Sequence, residues 1–235
     1  MSTTLIVGDI HERLDRLKII MSRIAPRADR VVFLGDFFDT FDKYDEARVV
    51  DACAFINNAV NDERHDVLLG NHDVHYYFSH PNLKCSGYDE RKTVIIKALI
   101  EPATIHKMQL YTIVGPYTVS HAGFTKGTIG YASTPSERMA IEVGLAGSYD
   151  PIFGAGRARG GSLQFGGPTW LDWSDEFVCV PGTPQIVGHT YLPRPASKQL
   201  NGEEFRSWNI DTALRYVAMV NEDNGEVLIE DVPLQ

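Results

Sequence analysis

The stretch Thr3-Thr4-Leu5-Ile6-Val7-Gly8-Asp9-Ile10-His11 decides the fold. Its apolar run reads as a buried strand, a glycine ends it, and two metal-ligating side chains follow. Asp9 and His11 are two positions apart, so in an extended segment both leave on the same side and can grip one ion. Further along, other apolar runs are each followed at once by Gly or Ser and then by another such side chain. They lead into Gly35-Asp36, Gly70-Asn71-His72-Asp73, Ser120-His121 and Gly188-His189. Ligands at the ends of neighbouring strands converge on one edge of a sheet, where open α/β folds place their sites.

The segments between these runs complete an α/β pattern. After Leu5 to Val7, the residues Leu14, Leu17, Ile20, Met21 and Ile24 recur at helical spacing until Pro26. After the run Val31 to Leu34, Val49, Val50, Cys53, Ile56 and Val60 do the same, and Val67 to Leu69 is the third run. A further helix is predicted within Asp89 to Ile100, stopped by Pro102. From Met108 the texture changes to strands, with Leu110 to Val114, a Gly115-Pro116 turn and Tyr117 to Ser120 reading as a hairpin. Ser207 to Ile210, Arg215 to Val220 and Val227 to Val232 read as three more strands, the last pair joined at Asn224-Gly225, which implies a second sheet. The glycine-rich stretch Gly154 to Gly167 is predicted to be a surface loop near the site.

At 235 residues and 43% hydrophobic composition, the chain fits one domain with a full core, spanning 1–235. Cys53, Cys85 and Cys179 are odd in number and widely spaced, unlike a disulfide scaffold or zinc ribbon, so a reducing, cytoplasmic setting is expected. The N-terminus lacks the features of a secretory signal, and no stretch approaches the ~20 apolar residues of a spanning helix. A formal charge of −9 argues against general nucleic-acid binding.

A mixed set of carboxylates, imidazoles and an amide suits manganese, iron or zinc, with manganese expected first. Two such ions held ~3.5–4 Å apart can activate a hydroxide and stabilise charge on phosphate oxygens during in-line displacement. The five segments, Gly8-Asp9-Ile10-His11, Gly35-Asp36-Phe37-Phe38-Asp39, Gly70-Asn71-His72-Asp73, His121 in Ser-His-Ala-Gly, and Gly188-His189-Thr190, occur in the order of the calcineurin-like metallophosphoesterase motifs. The chain resembles that superfamily from Gly8 to about Thr190. The resemblance implies a four-layered α/β/β/α sandwich with two mixed sheets and a dinuclear centre with a bridging hydroxide. It implies that Asp9 and His11 hold the first metal, that Asp36 bridges, and that Asn71, His121 and His189 hold the second. It further implies that His72 protonates the leaving group with Asp39 orienting it; a carboxylate partner is what keeps an imidazole charged near neutral pH.

Within the superfamily the chain looks closest to the phosphoprotein phosphatases and diadenosine tetraphosphate hydrolases. Tyr191 stands where other branches place a second histidine, and Trp173-Ser174-Asp175 resembles a phosphatase segment. There are departures. Thr40 follows Asp39 and Leu69 precedes Gly70, where the phosphoprotein phosphatases carry substrate-binding arginines, and Glu12 replaces a glycine. Arg157, Arg159 and Arg194 are the candidate replacements, because a guanidinium binds phosphate bidentately. Asp73 is predicted to cap the following segment and Asp175 to orient a ligand histidine. Trp170 and Trp173 are expected under the site. Phe37, Phe38 and Phe41 are expected in the core, with stacking on a base as the alternative, and His65, His75, His80 and His106 at the surface or an interface, with His75 close enough to the His72 loop to line the substrate mouth as the alternative.

The activity expected first is phosphomonoester hydrolysis of a phosphorylated substrate whose identity the sequence leaves open. The alternative is cleavage of a phosphodiester or nucleotide pyrophosphate. A lapsed scaffold is disfavoured, because every ligand position and His72 are present.

Overall fold

Leu5 and Val7 face one side of the first strand and Ile6 the other, and all three are fully buried. A strand apolar on both faces must lie inside a sheet covered on both sides. A computed structural model, describing residues 2–233, shows that arrangement. Along the chain the strands are β1 (Thr3–Val7), β2 (Arg30–Phe33), β3 (His65–Val67), β4 (Tyr111–Val114) and β5 (Tyr117–Ser120), followed by β6 (Gln185–Val187), β7 (Ala196–Lys198), β8 (Ser207–Asn209), β9 (Tyr216–Asn221) and β10 (Val227–Asp231). The helices are α1 (Leu14–Arg23), α2 (Glu46–Ala59), α3 (Asn71–Tyr77), α4 (Glu90–Leu99), α5 (Pro102–Ile105) and α6 (Thr134–Leu145).

Two mixed five-stranded sheets result, with orders β10-β9-β1-β2-β3 and β4-β5-β6-β8-β7. Strands β1, β2 and β3 are parallel neighbours, as are β5, β6 and β8, so the motif-bearing ends within each set fall on one edge. Ile6, Val32, Leu34, Leu68, Val119 and Ile186 pack between the sheets. On the far side of the first sheet, Leu17, Ile20, Val49, Ile56 and Ile96 seal the helices against Val7 and Phe33. The opposite outer layer is thinner: Leu171, Trp173 and Phe177, from an irregular segment, cover Ala122 and Val187.

Two sequence expectations need correcting. The last three strands do not share a sheet: β8 joins the second, whereas β9 pairs antiparallel with β1 in the first and carries β10 at the edge. The reason is visible in β9, where Val217 and Met219 enter one core and Ala218 and Val220 the other, so it has no polar face to expose. Pro102 stops α4 but also opens α5, at the first helical position where a missing N–H costs nothing. The Gly154 to Gly167 loop is closed at its base by a hydrogen bond from Gly167 N–H to the Gly154 carbonyl, with one 3₁₀ turn at Arg157–Arg159. No helix among the described residues is long and apolar enough to cross a membrane.

Candidate metal centre and its histidine–aspartate pair

The glycines that end the runs have a steric purpose. A Cβ on Gly70 would lie 2.1 Å from Asp36 Oδ1, and one on Gly188 would lie 2.2 Å from Asp9 Oδ1. Each carboxylate therefore occupies the room left by the missing side chain on another motif loop. Backbone donors then fix both groups: His189 N–H reaches Asp9 Oδ2 at 3.0 Å, and His72 N–H reaches Asp36 Oδ1 at 2.8 Å. Replacing Gly70 with alanine should displace Asp36, lowering stability by about 1–3 kcal/mol as overpacking does. Calorimetry would report the loss, and metal analysis a drop in bound ion; an unchanged melting temperature would reject this steric account.

His11 Nδ1 lies 3.0 Å from both the Phe38 and Asp39 carbonyls, so it carries the proton and donates. Its Nε2 lone pair then faces Asp36 Oδ2 at 3.6 Å. His121 repeats the arrangement: Nδ1 donates to the Leu34 carbonyl at 2.9 Å, and Nε2 stands 3.4 Å from Asp36 Oδ2 and 3.1 Å from Asn71 Oδ1. His189 Nδ1 lies 3.2 Å from His121 Nε2, while its own Nε2 is buried without a hydrogen-bond partner among the described residues. Two sets of ligand atoms result, Asp9 with His11 and Asp36, and Asp36 with His121 and His189, sharing Asp36. All six expected ligands are thus brought together.

Electrostatics shows what the cluster needs. Burial pushes His11 and His121 down to about 3, and His189 well below its usual value, so the rings are neutral. Burial, with Asp211 and then Asp9 as the main repelling neighbours, raises Asp9 and Asp36 well above the usual carboxylate range. Neutral imidazole lone pairs and mutually repelling buried carboxylates, converging on one oxygen, fit divalent cations. Five non-glycine residues here, His11, Glu12, Asp36, Asp39 and His189, hold left-handed backbone with φ between 46° and 66°. Such strain survives only where neighbours enforce it, and it gathers at functional sites.

His72 Nδ1 lies 2.8 Å from Asp39 Oδ2, the pairing expected of them. Asp39 also holds Tyr76 Oη at 2.5 Å and Lys92 Nζ at 3.0 Å, and His75 Nε2 approaches to 2.9 Å. Burial alone would raise the Asp39 carboxyl, but His72 and His75 hold it well below the usual range. Lys92 spans Asp39 and Glu12 Oε1, at 2.6 Å, so Glu12 in place of the motif glycine supplies a counter-charge. The sequence reading missed this group. Its signal was the helix start at Asn71, which sets His72, His75 and Tyr76 on one face at i, i+3 and i+4.

Other expectations need correction. His75 is buried rather than superficial, and Phe41 is 84% exposed rather than core. Phe41 lines the cavity beside His11, with ring centroids 5.5 Å apart. Asp175 is exposed; the neighbouring Asp172 and Glu176 are the buried carboxylates, and Asp172 grips Arg159 Nε at 2.7 Å. Asp73 caps α3 as expected and also accepts from the Asp36 and Phe37 amides at 2.7 and 2.9 Å, binding two motif loops together. Trp173 is buried against Phe177 as expected, while Trp170 lines the cavity 5.4 Å from His189.

Of the three candidate arginines, only Arg159 lines the central cavity of about 490 Å³, steadied by Thr190 Oγ1 at 3.0 Å. Arg157 is exposed and absent from that lining, and Arg194 lines a different cavity with Arg16 and Arg215. The sequence reading overlooked Arg13, two positions beyond His11, which lines the central cavity with a buried Nη1 lacking a hydrogen-bond partner among the described residues. Arg13 and Arg159 both bear electrostatically on the buried Asp211.

The sequence matches the family model for calcineurin-like phosphoesterase over residues 2–219. No curated protein sequence matches. Among solved structures, a cold-active protein-tyrosine phosphatase of a psychrophilic Shewanella species shares 12% identity at a TM-score of 0.63, covering 99% of this chain and 81% of its own. A protein serine/threonine phosphatase from Saccharomyces cerevisiae is similar at 12% identity and a TM-score of 0.58, covering 100% and 80%. A protein assigned as a diadenosine tetraphosphatase is similar at 12% identity and a TM-score of 0.52, covering 98% and 93%. These likenesses confirm the fold, and the match across residues 2–219 establishes that the chain belongs to the calcineurin-like phosphoesterase family.

Proposed function

We propose that the protein is a metal-dependent phosphomonoesterase. The observation that carries this reading is the pair of guanidiniums, Arg13 and Arg159, lining the same cavity as Asp36, Asn71, His72 and His189. A monoester dianion offers three free oxygens and two charges, and two guanidiniums match it better than they match a diester monoanion. Asp9, His11 and Asp36 would hold one divalent cation, and Asp36, Asn71, His121 and His189 a second. Bound there, the ions would activate water and neutralise charge growing on the phosphate oxygens. Manganese is the metal we favour from the oxygen-and-imidazole donor set. His72, paired with Asp39, would donate its proton to the departing oxygen. Three free cysteines support a reducing, cytoplasmic setting.

The test compares p-nitrophenyl phosphate with bis-p-nitrophenyl phosphate on manganese-loaded protein. The monoester should be preferred, and Arg13→Ala and Arg159→Ala should each lower kcat/KM for it by about tenfold to a hundredfold, the worth of a charged hydrogen bond. Faster cleavage of the bis-ester, with little effect of either arginine, would transfer support to the diester or nucleotide pyrophosphate reading. The aromatic mouth formed by Phe41, Trp170 and Tyr191, the last 55% exposed, would suit a base in that case.

A further inference from the structure

Cys85 belongs to none of the motifs, yet the chain between α3 and α4 carries it to the side of the His72–Asp39 pair. Its Sγ lies 3.1 Å from His75 Nδ1 and 3.9 Å from His72 Nδ1. His72, His75 and Cys85 each bring one donor atom within 4.8 Å of the others. A tetrahedral zinc ion, with Zn–S of about 2.3 Å and Zn–N of about 2.0–2.1 Å, separates nitrogen from sulfur by about 3.5 Å. The two observed separations lie on either side of that value. His75 is 3% exposed, with Nδ1 turned to the thiol and Nε2 2.9 Å from Asp39 Oδ2. A carboxylate close to the far nitrogen of a ligand histidine is placed to orient the ring once the two align as a hydrogen bond, as around zinc.

We propose that His72, His75 and Cys85 form a third cation site, selective for a thiol-seeking ion such as zinc and inhibitory when filled. The donor set differs from the Asp36 cluster in its sulfur: a thiolate beside two imidazoles favours zinc, whereas carboxylates and an amide beside imidazoles also accept harder ions. Binding releases two protons to solvent, one from the Cys85 thiol and one from His72 Nδ1 as that nitrogen becomes a ligand, and leaves His72 with its Nε2 proton alone. The nitrogen taken is the one that now pairs with Asp39 at 2.8 Å. His72 then has no route to the imidazolium that proton donation requires. Binding stands apart from hydrolysis; the inhibitory effect rests on the proposed function.

The experiment titrates the manganese-loaded full chain and its Cys85→Ser variant with cobalt(II) chloride and then zinc chloride, with circular dichroism confirming that both fold alike. The wild type should take up one cobalt beyond its manganese, with thiolate-to-cobalt charge-transfer absorption that zinc abolishes one for one, and Cys85→Ser should show neither. Zinc should also lower wild-type turnover of an alkyl phosphate by about 10² or more, as loss of a general acid does, with manganese retained and with Cys85→Ser spared. Absence of the band, its persistence in Cys85→Ser, or loss of manganese in step with zinc uptake would overturn the proposal. Cobalt bound through Cys85 in a protein without manganese-dependent turnover would uphold the site and overturn the hydrolytic reading.

Discussion

Asp36→Asn should lose metal-dependent turnover by more than about 10³-fold, beyond the loss of a single oxyanion donor, while its metal-free fold grows no weaker and even gains stability. The two effects have one origin. Asp36 Oδ2 stands 3.6 Å from His11 Nε2 and 3.4 Å from His121 Nε2, and both nitrogens present lone pairs because their Nδ1 atoms donate to backbone carbonyls. A charged carboxylate there is repelled unless a cation or a proton intervenes, which is why burial and Asp9 raise its carboxyl well above the usual range. An amide –NH₂ there can instead donate to the rings, and Asn Oδ1 can still accept from His72 N–H. Metal analysis of the variant should show the shared ligand's loss at both positions, and a melt in chelator should show an equal or higher midpoint than the wild type. Retained turnover with full metal content would remove Asp36 from the bridging position. This is the usual opposition between stability and function, localised to one oxygen.

His72→Ala should lower kcat by about 10²–10⁴ for an alkyl phosphate, the range of general acid catalysis, and by much less for p-nitrophenyl phosphate. The contrast follows from the leaving group: nitrophenolate departs without help, whereas an alkoxide needs the proton. Equal losses on both substrates would assign His72 to ground-state binding. Asp39→Asn is a less clean probe, because Asp39 also satisfies Tyr76 and Lys92, and breaking a buried ion pair costs about 3–5 kcal/mol. Its kinetic loss should therefore come with a lower melting temperature, which His72→Ala, at the cavity wall, should largely escape.

Residues near strand ends were legible in the sequence because strand and ligand lie next to each other in the chain. Asp9, Asp36, Asn71, His121 and His189 each follow a short apolar run, and parallel pairing of β1, β2 and β3 brings the first three loops together. Helices α1 and α2 were legible from buried positions such as Leu14, Leu17, Ile20, Val49 and Ile56. What could not be read is what arrives from a distance without a motif. Lys92 reaches Glu12 from 80 residues away, and Cys85 comes from a segment whose local pattern specifies only a loop. Asp175 was read as the orienting carboxylate, whereas Asp172, three positions earlier, is the buried one that grips Arg159, a difference no local pattern announces. The sheet assignment of β9 failed for a similar reason, since an apolar run does not say which neighbour will cover it.

The glycine contacts imply a way in which this centre tolerates motion. Because Asp36 fills the space beside Gly70, and Asp9 the space beside Gly188, the spacing of the charged groups is set by backbone against side chain, like teeth meshed between adjoining gears. A shift in one motif loop must carry its neighbour along, so the centre can travel as a unit but cannot widen locally. Substrates should thus be selected by what fits above an unyielding base, with adaptation confined to the exposed rings of Phe41 and Tyr191 at the rim.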